Sequence, residues 1–136
     1  MKLALVIITI LALCSCATYY PPPEAFPPDY TGPAFIEGSP WSTEVASGSS
    51  HYIFAKVMDK YRNPLAGQTV TASFEYEYEP VAYFYDSEEA LTNENGVAEF
   101  LIVGLGWPGY NEIIFSSGEA FTRVYIWTYG YGPFGW

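Results

Sequence analysis

Gln68-Thr69-Val70-Thr71-Ala72-Ser73-Phe74-Glu75-Tyr76-Glu77-Tyr78 alternates from end to end. Val70, Ala72, Phe74, Tyr76 and Tyr78 share one parity; Thr71, Ser73, Glu75 and Glu77 share the other. Successive side chains of a strand point to opposite faces, so the pattern predicts a strand with an aromatic face on a core and an acidic face in water. No stretch of the chain carries a helical period. The fold is read from strands.

Working outward, Tyr52 to Met58 predicts a strand with Ile53, Ala55 and Val57 on one face, followed by turn signals at Asn63-Pro64 and Ala66-Gly67. Val81 to Tyr85 is a continuous apolar run, read as a short strand or an edge. Asn93-Glu94-Asn95-Gly96 predicts a turn with glycine where φ is positive. Val97 to Val103 alternates next, with Ala98, Phe100 and Ile102 on one face. Asn111 to Phe115 and Phe121 to Trp127 complete two further strands around Ser117-Gly118. The expectation is an all-β, immunoglobulin-like antiparallel sandwich of about seven strands over residues 41–127, folding alone as a monomer.

Composition bounds the rest. The 136 residues fit one domain with appendages and leave no room for a two-domain enzyme. Half the chain is apolar, too much for a disordered polymer. With 15 acids against 5 bases the net charge is −10, which argues against nucleic acid as a partner, because phosphate contacts need Lys and Arg.

Lys2 precedes an apolar run from Leu3 to Leu13, and Leu13-Cys14-Ser15-Cys16 follows. The run is too short to span a membrane and has the layout of a secretory signal. Its end resembles a bacterial lipobox. That resemblance implies cleavage after residue 15, a lipid on Cys16, and the membrane as a partner through that lipid; a plain signal peptide is the alternative. Ala17 then favours the outer membrane in a Gram-negative cell. This reading uses both cysteines, so the domain is expected to hold without a disulfide. Residues 16–40 hold seven of the eleven prolines and are expected to form an extended tether. Residues 128–136, TYGYGPFGW, form a Gly/aromatic tail.

Val57-Met58-Asp59-Lys60-Tyr61-Arg62-Asn63-Pro64-Leu65-Ala66-Gly67-Gln68-Thr69-Val70 resembles the first signature of bacterial Ig-like domains of the invasin and intimin type (Big-1-like). Thr92-Asn93-Glu94-Asn95-Gly96-Val97-Ala98 resembles their second. The carboxypeptidase-regulatory-like β-sandwich shares both turns and is a close alternative. The resemblance implies a spacer or adhesive unit at a bacterial surface, with no catalytic residues. Arg62 stands where that family has Gly and Asn93 where it has Asp, so the first turn must differ or hold a strained residue. The acidic and aromatic segment 75–89 has no counterpart in it.

Few residues invite chemistry. Gly104-Leu105-Gly106-Trp107-Pro108-Gly109 spells G-x-G-x-x-G, but Pro108 and the strand-like residues after it exclude the helix that a dinucleotide site needs. His51 is the single histidine, and Ser50 beside it points to the other face of a strand. No cofactor is expected. The acids Glu75, Glu77, Asp86 and Glu88 read as a solvated face, with weak Ca²⁺ binding as the minority reading. Tyr83, Tyr85, Tyr129, Tyr131 and Trp136 are the candidate contacts to a protein or polysaccharide at the envelope. The expected function is a lipid-anchored, non-enzymatic binding, adhesion or spacer module. A small carbohydrate-active accessory protein or hydrolase, or a subunit of a larger surface assembly, is the alternative.

Overall fold

The computed structural model describes residues 21–75 and 80–129. Cys16, Tyr76, Glu77, Tyr78, Tyr131 and Trp136 lie outside them. Among the described residues nine strands form two sheets: β1 (Phe35–Ser39), β2 (Ser42–Ala46), β3 (Ser50–Met58), β4 (Thr69–Glu75), β5 (Ala82–Phe84), β6 (Glu89–Leu91), β7 (Val97–Gly104), β8 (Gly109–Ser117) and β9 (Ala120–Tyr129). The four-stranded sheet has the order β1-β3-β7-β5, and the five-stranded sheet the order β2-β9-β8-β4-β6. All pairings between these strands are antiparallel except β2 with β9. The result is an Ig-like β-sandwich.

The strands read from alternation bury the parity assigned to them. Ile53, Ala55 and Val57 of β3, Val70 and Ala72 of β4, and Ala98, Phe100 and Ile102 of β7 are buried. Between the sheets Phe74, Phe84, Phe100 and Phe115 make a chain of ring contacts with centroids 4.7, 6.0 and 5.3 Å apart. Such aromatic pairs add about 0.5–1.5 kcal/mol each beyond the area they bury.

Nine strands rather than about seven arise because β1, β2 and β6 are too short or too polar to show a period. Residues 16–40, expected to be an extended tether, are corrected over their described part. Phe35 to Ser39 pair with β3, and Phe35 and Ile36 are buried. Proline enrichment hides this, because β1 lies between Pro33 and Pro40, in a stretch that carries none. Upstream, Lys60 is buried and its Nζ donates to the carbonyls of Pro27 and Pro28 at 2.8 and 2.9 Å. Phe26 stacks on Tyr30 and meets Phe35 edge-on. The segment is a strap across the end of the sandwich. Residues 21–40 therefore belong with the sandwich, and β9 continues past 127 to Tyr129.

The two signature pieces sit against each other. Val57 N–H bonds the carbonyl of Gly96, Leu65 N–H bonds that of Val57, and Gly67 N–H bonds that of Thr92. Thr92 Oγ1 donates to Leu65 O at 2.6 Å and accepts Gln68 N–H at 2.9 Å. Gly96 has φ +74°, and a Cβ there would stand 2.7 Å from Val57 O, so both backbone angle and space require glycine. Arg62 takes φ 66°, the strained alternative that the missing glycine implied.

Candidate functional site

Each strand at the sandwich surface gives one face to the core, so any binding site on it is built from the other parity. Tyr83 lies on β5 beside Val103, and Tyr85 N–H bonds Leu101 O, which places both residues along β7 at the edge of the four-stranded sheet. Tyr52, opposite Leu101 on β3, and Phe54 continue this face with rings 6.4 Å apart. Tyr83, Tyr85 and Tyr52 are exposed. Tyr129 is exposed too, but it ends β9 in the other sheet. The candidate contacts are therefore split between sheets, and Tyr83 and Tyr85 are the pair that the fold brings together.

The outer face of the five-stranded sheet carries a second set. Tyr110 of β8 lies directly opposite Trp127 of β9, with ring centroids 4.9 Å apart. Tyr110 also stacks on Tyr125 at 5.9 Å and 13°, and Tyr125 meets the ring of Trp41 edge-on at 6.1 Å. Trp41 is held there by its own backbone, whose carbonyl accepts Tyr125 N–H at 2.9 Å. Trp41 is 72% exposed, against 50% for Trp127 and 42% for Tyr110. The ladder lies outside the set of residues chosen from sequence. Its signal was present: Tyr125 and Trp127 alternate with Val124 and Ile126, so the solvent parity of β9 is aromatic where polar residues are expected.

Polar groups border these rings. Tyr110 Oη donates to Glu112 Oε1 at 2.7 Å. Arg123 lies between Glu75 at 3.4 Å and Glu112 at 3.6 Å. These exposed pairs contribute at most about 1 kcal/mol each, so they orient groups more than they hold the fold. Glu44 stands beside Trp127 on the parallel strand β2. Next to Trp41 an open groove of about 660 Å³ runs between β1 and the start of β9, with Ile36, Phe121 and Arg123 in its walls.

The acidic candidates among the described residues lie on two stretches. Glu75 is on β4, whereas Asp86 and Glu88 are exposed in the connection from β5 to β6. Among the described residues no three His, Cys, Asp or Glu side chains form a group able to hold a metal ion. His51 is exposed on β3, opposite Ile102. Gly104 ends β7 and Gly109 begins β8, so the G-x-G-x-x-G stretch is an inter-strand loop, tied down by Leu105 N–H on Val81 O. Among the described residues no helix is long and apolar enough to cross a membrane.

No protein-family model matches the chain, and no curated protein does. Solved structures do. The Escherichia coli adhesin FdeC is similar with a TM-score of 0.56 at 15% identity, over 71% of this chain and 31% of that one. Domains 4 and 5 of the S-layer protein SbsC are similar with a TM-score of 0.52 at 18% identity, over 68% of this chain and 50% of theirs. A glycosyl hydrolase family 2 member from Bacteroides cellulosilyticus is similar with a TM-score of 0.55 at 20% identity, over 69% of this chain and 14% of that one. The chain thus spans half or less of each of these structures. At such identities the likeness is one of fold: a sandwich that recurs in bacterial adhesins and surface-layer proteins.

Proposed function

We propose that this chain is a lipid-anchored protein of the bacterial envelope whose Ig-like module works without catalysis, by presenting a binding surface. The observation that carries the reading is the outward placement of aromatic rings on both sheets. The core does not use Tyr52, Tyr83, Tyr85, Trp41 or Trp127, and interface cores are where exposed aromatics are enriched. The architecture supports a role at a bacterial surface, because similar sandwiches occur in FdeC and SbsC. The acids favour binding over hydrolysis. Glu75 and Glu112 share Arg123 on an open sheet face, which is not the enclosed, desolvated setting of a catalytic carboxyl.

The strap changes what an anchor on Cys16 would do. Between Cys16 and Pro21 the chain can reach at most ~18 Å at full extension of about 3.3–3.6 Å per residue. Beyond Pro21 it is folded onto the domain. A lipid on Cys16 would thus hold the module close to the bilayer rather than tens of ångströms above it. The test is labelling of the full chain with a fatty-acid analogue in bacteria, beside Cys16→Ser. Loss of both label and membrane retention in the variant is expected; retention of both would overturn the anchor.

A further inference from the structure

We propose that the ladder Trp41–Tyr125–Tyr110–Trp127 is a binding platform for a neutral polysaccharide chain, a reading that rests on the binding role above and gives its ligand a chemistry. Saccharide rings have two kinds of surface: apolar C–H faces, and equatorial hydroxyls that donate and accept hydrogen bonds. The outer face of the five-stranded sheet offers a counterpart to each. Trp41, Tyr110 and Trp127 supply exposed apolar surface for the C–H faces, and the half-buried Tyr125, stacked on Tyr110 and met edge-on by Trp41, holds them in line. Glu44 beside Trp127, and Glu112 beside Tyr110, supply carboxylate oxygens that accept from hydroxyls.

Dimension and charge narrow the class. From Trp41, next to the β2 edge, to Tyr110 on β8 the ladder crosses two strand spacings, about 10 Å. That is longer than one sugar ring, so the fitting ligand is a chain. The groove of about 660 Å³ beside Trp41 extends the track past the ladder's end. Polyanions are disfavoured by the net charge of −10 and by the acids of this face, where Arg123 already lies between two carboxylates. A protein partner docking through the same rings would have to leave Glu44, Glu75 and Glu112 near its interface core, where charged residues are depleted. A glycan brings hydroxyls to those positions.

The test uses the full chain extracted in mild detergent, with hexasaccharides of β-1,4-linked glucose and of β-1,4-linked N-acetylglucosamine as probes and polygalacturonate as the anionic control. Binding is read by tryptophan fluorescence and by calorimetry. The expected result is saturable binding of at least one neutral hexasaccharide and none of polygalacturonate. Trp127→Ala and Trp41→Ala should each weaken binding at least tenfold, while His51→Ala, an exposed residue on the opposite sheet, leaves it unchanged. Both tryptophans are exposed, and an unchanged thermal transition confirms that the variants fold. Binding of neither neutral probe, or binding indifferent to Trp127 and Trp41, overturns the proposal. Dimerisation abolished by Trp127→Ala would assign the face to a second copy of this chain and overturn it too. Membrane retention through Cys16 is measured separately, so a failed glycan test leaves the anchored, non-catalytic reading standing or falling by itself.

Discussion

At the scale of single residues, Thr92 and Arg62 show how much the turn chemistry weighs. Thr92 is 5% exposed and its hydroxyl serves two backbone groups from the Leu65–Gln68 bend. Thr92→Val keeps the shape but leaves Gln68 N–H and Leu65 C=O without that partner. Unsatisfied buried groups cost about 1–3 kcal/mol each, so a loss of about 2–3 kcal/mol is expected in urea denaturation. Thr71→Val, on the exposed parity of β4, should stay within about 0.5 kcal/mol. Arg62 is the opposite case, a non-glycine at φ 66°. Glycine there removes about 1–2 kcal/mol of left-handed strain and adds about 0.5–1 kcal/mol of chain entropy lost on folding. Relative to Arg62→Ala, which loses the same side chain, Arg62→Gly should therefore be more stable by up to about 1.5 kcal/mol, and the difference in urea midpoint checks the sign.

At the scale of elements, residues 21–33 of the strap are tied down by a side chain from a distant part of the chain as well as by their own rings. Lys60 leaves the β3–β4 connection and its ammonium meets the Pro27 and Pro28 carbonyls, with the Tyr61 ring centroid 5.3 Å away. Lys60→Met preserves the apolar stem and removes the donors. Two charge-assisted bonds, each worth about 1.5–3 kcal/mol at most, are lost against a smaller gain from not burying a charge. The expected outcome is faster subtilisin cleavage within residues 21–33 and a melting temperature lower by several degrees. Protection identical to that of the unmodified chain would show that Phe26, Tyr30 and Phe35 hold the strap alone.

At the scale of the whole molecule, β1 closes one edge of the four-stranded sheet and crosses over the other sheet. Gly38 lies so close to Val124 of β9 that a Cβ has no room. A chain starting at residue 41 loses the buried Phe35 and Ile36 and uncovers what lies beneath them. At about 1.5–3 kcal/mol for each buried side chain, that is roughly 3–6 kcal/mol out of a total of about 5–15. The shortened chain should be markedly destabilised or unfolded by circular dichroism, and more so than a chain starting at residue 21, which keeps Phe35 and Ile36. Phe100, 2% exposed at the centre of the ring chain, gives the core's own measure: Phe100→Ala should cost about 3–5 kcal/mol in the same assay.

Sequence alone determined the all-β class, the core parity of β3, β4 and β7, and the turn glycine at Gly96. Each of these follows from local periodicity or from the φ that one residue must adopt, and both are properties of consecutive residues. Tertiary structure decided the rest. Phe35 to Ser39 became a strand because β3 had an edge to satisfy, and Lys60 could be buried because the carbonyls of Pro27 and Pro28, far away in the chain, accept from its ammonium. The aromatic ladder is of the same kind. Trp41, Tyr110 and Trp127 belong to three separate stretches, and no pattern within any one of them says that a parallel pairing of β2 with β9 and an antiparallel pairing of β8 with β9 will set their rings side by side. Sequence local to a strand can assign a residue to a face, but which residues become neighbours on that face depends on strand order and register, which are fixed only when the two sheets close on a common core.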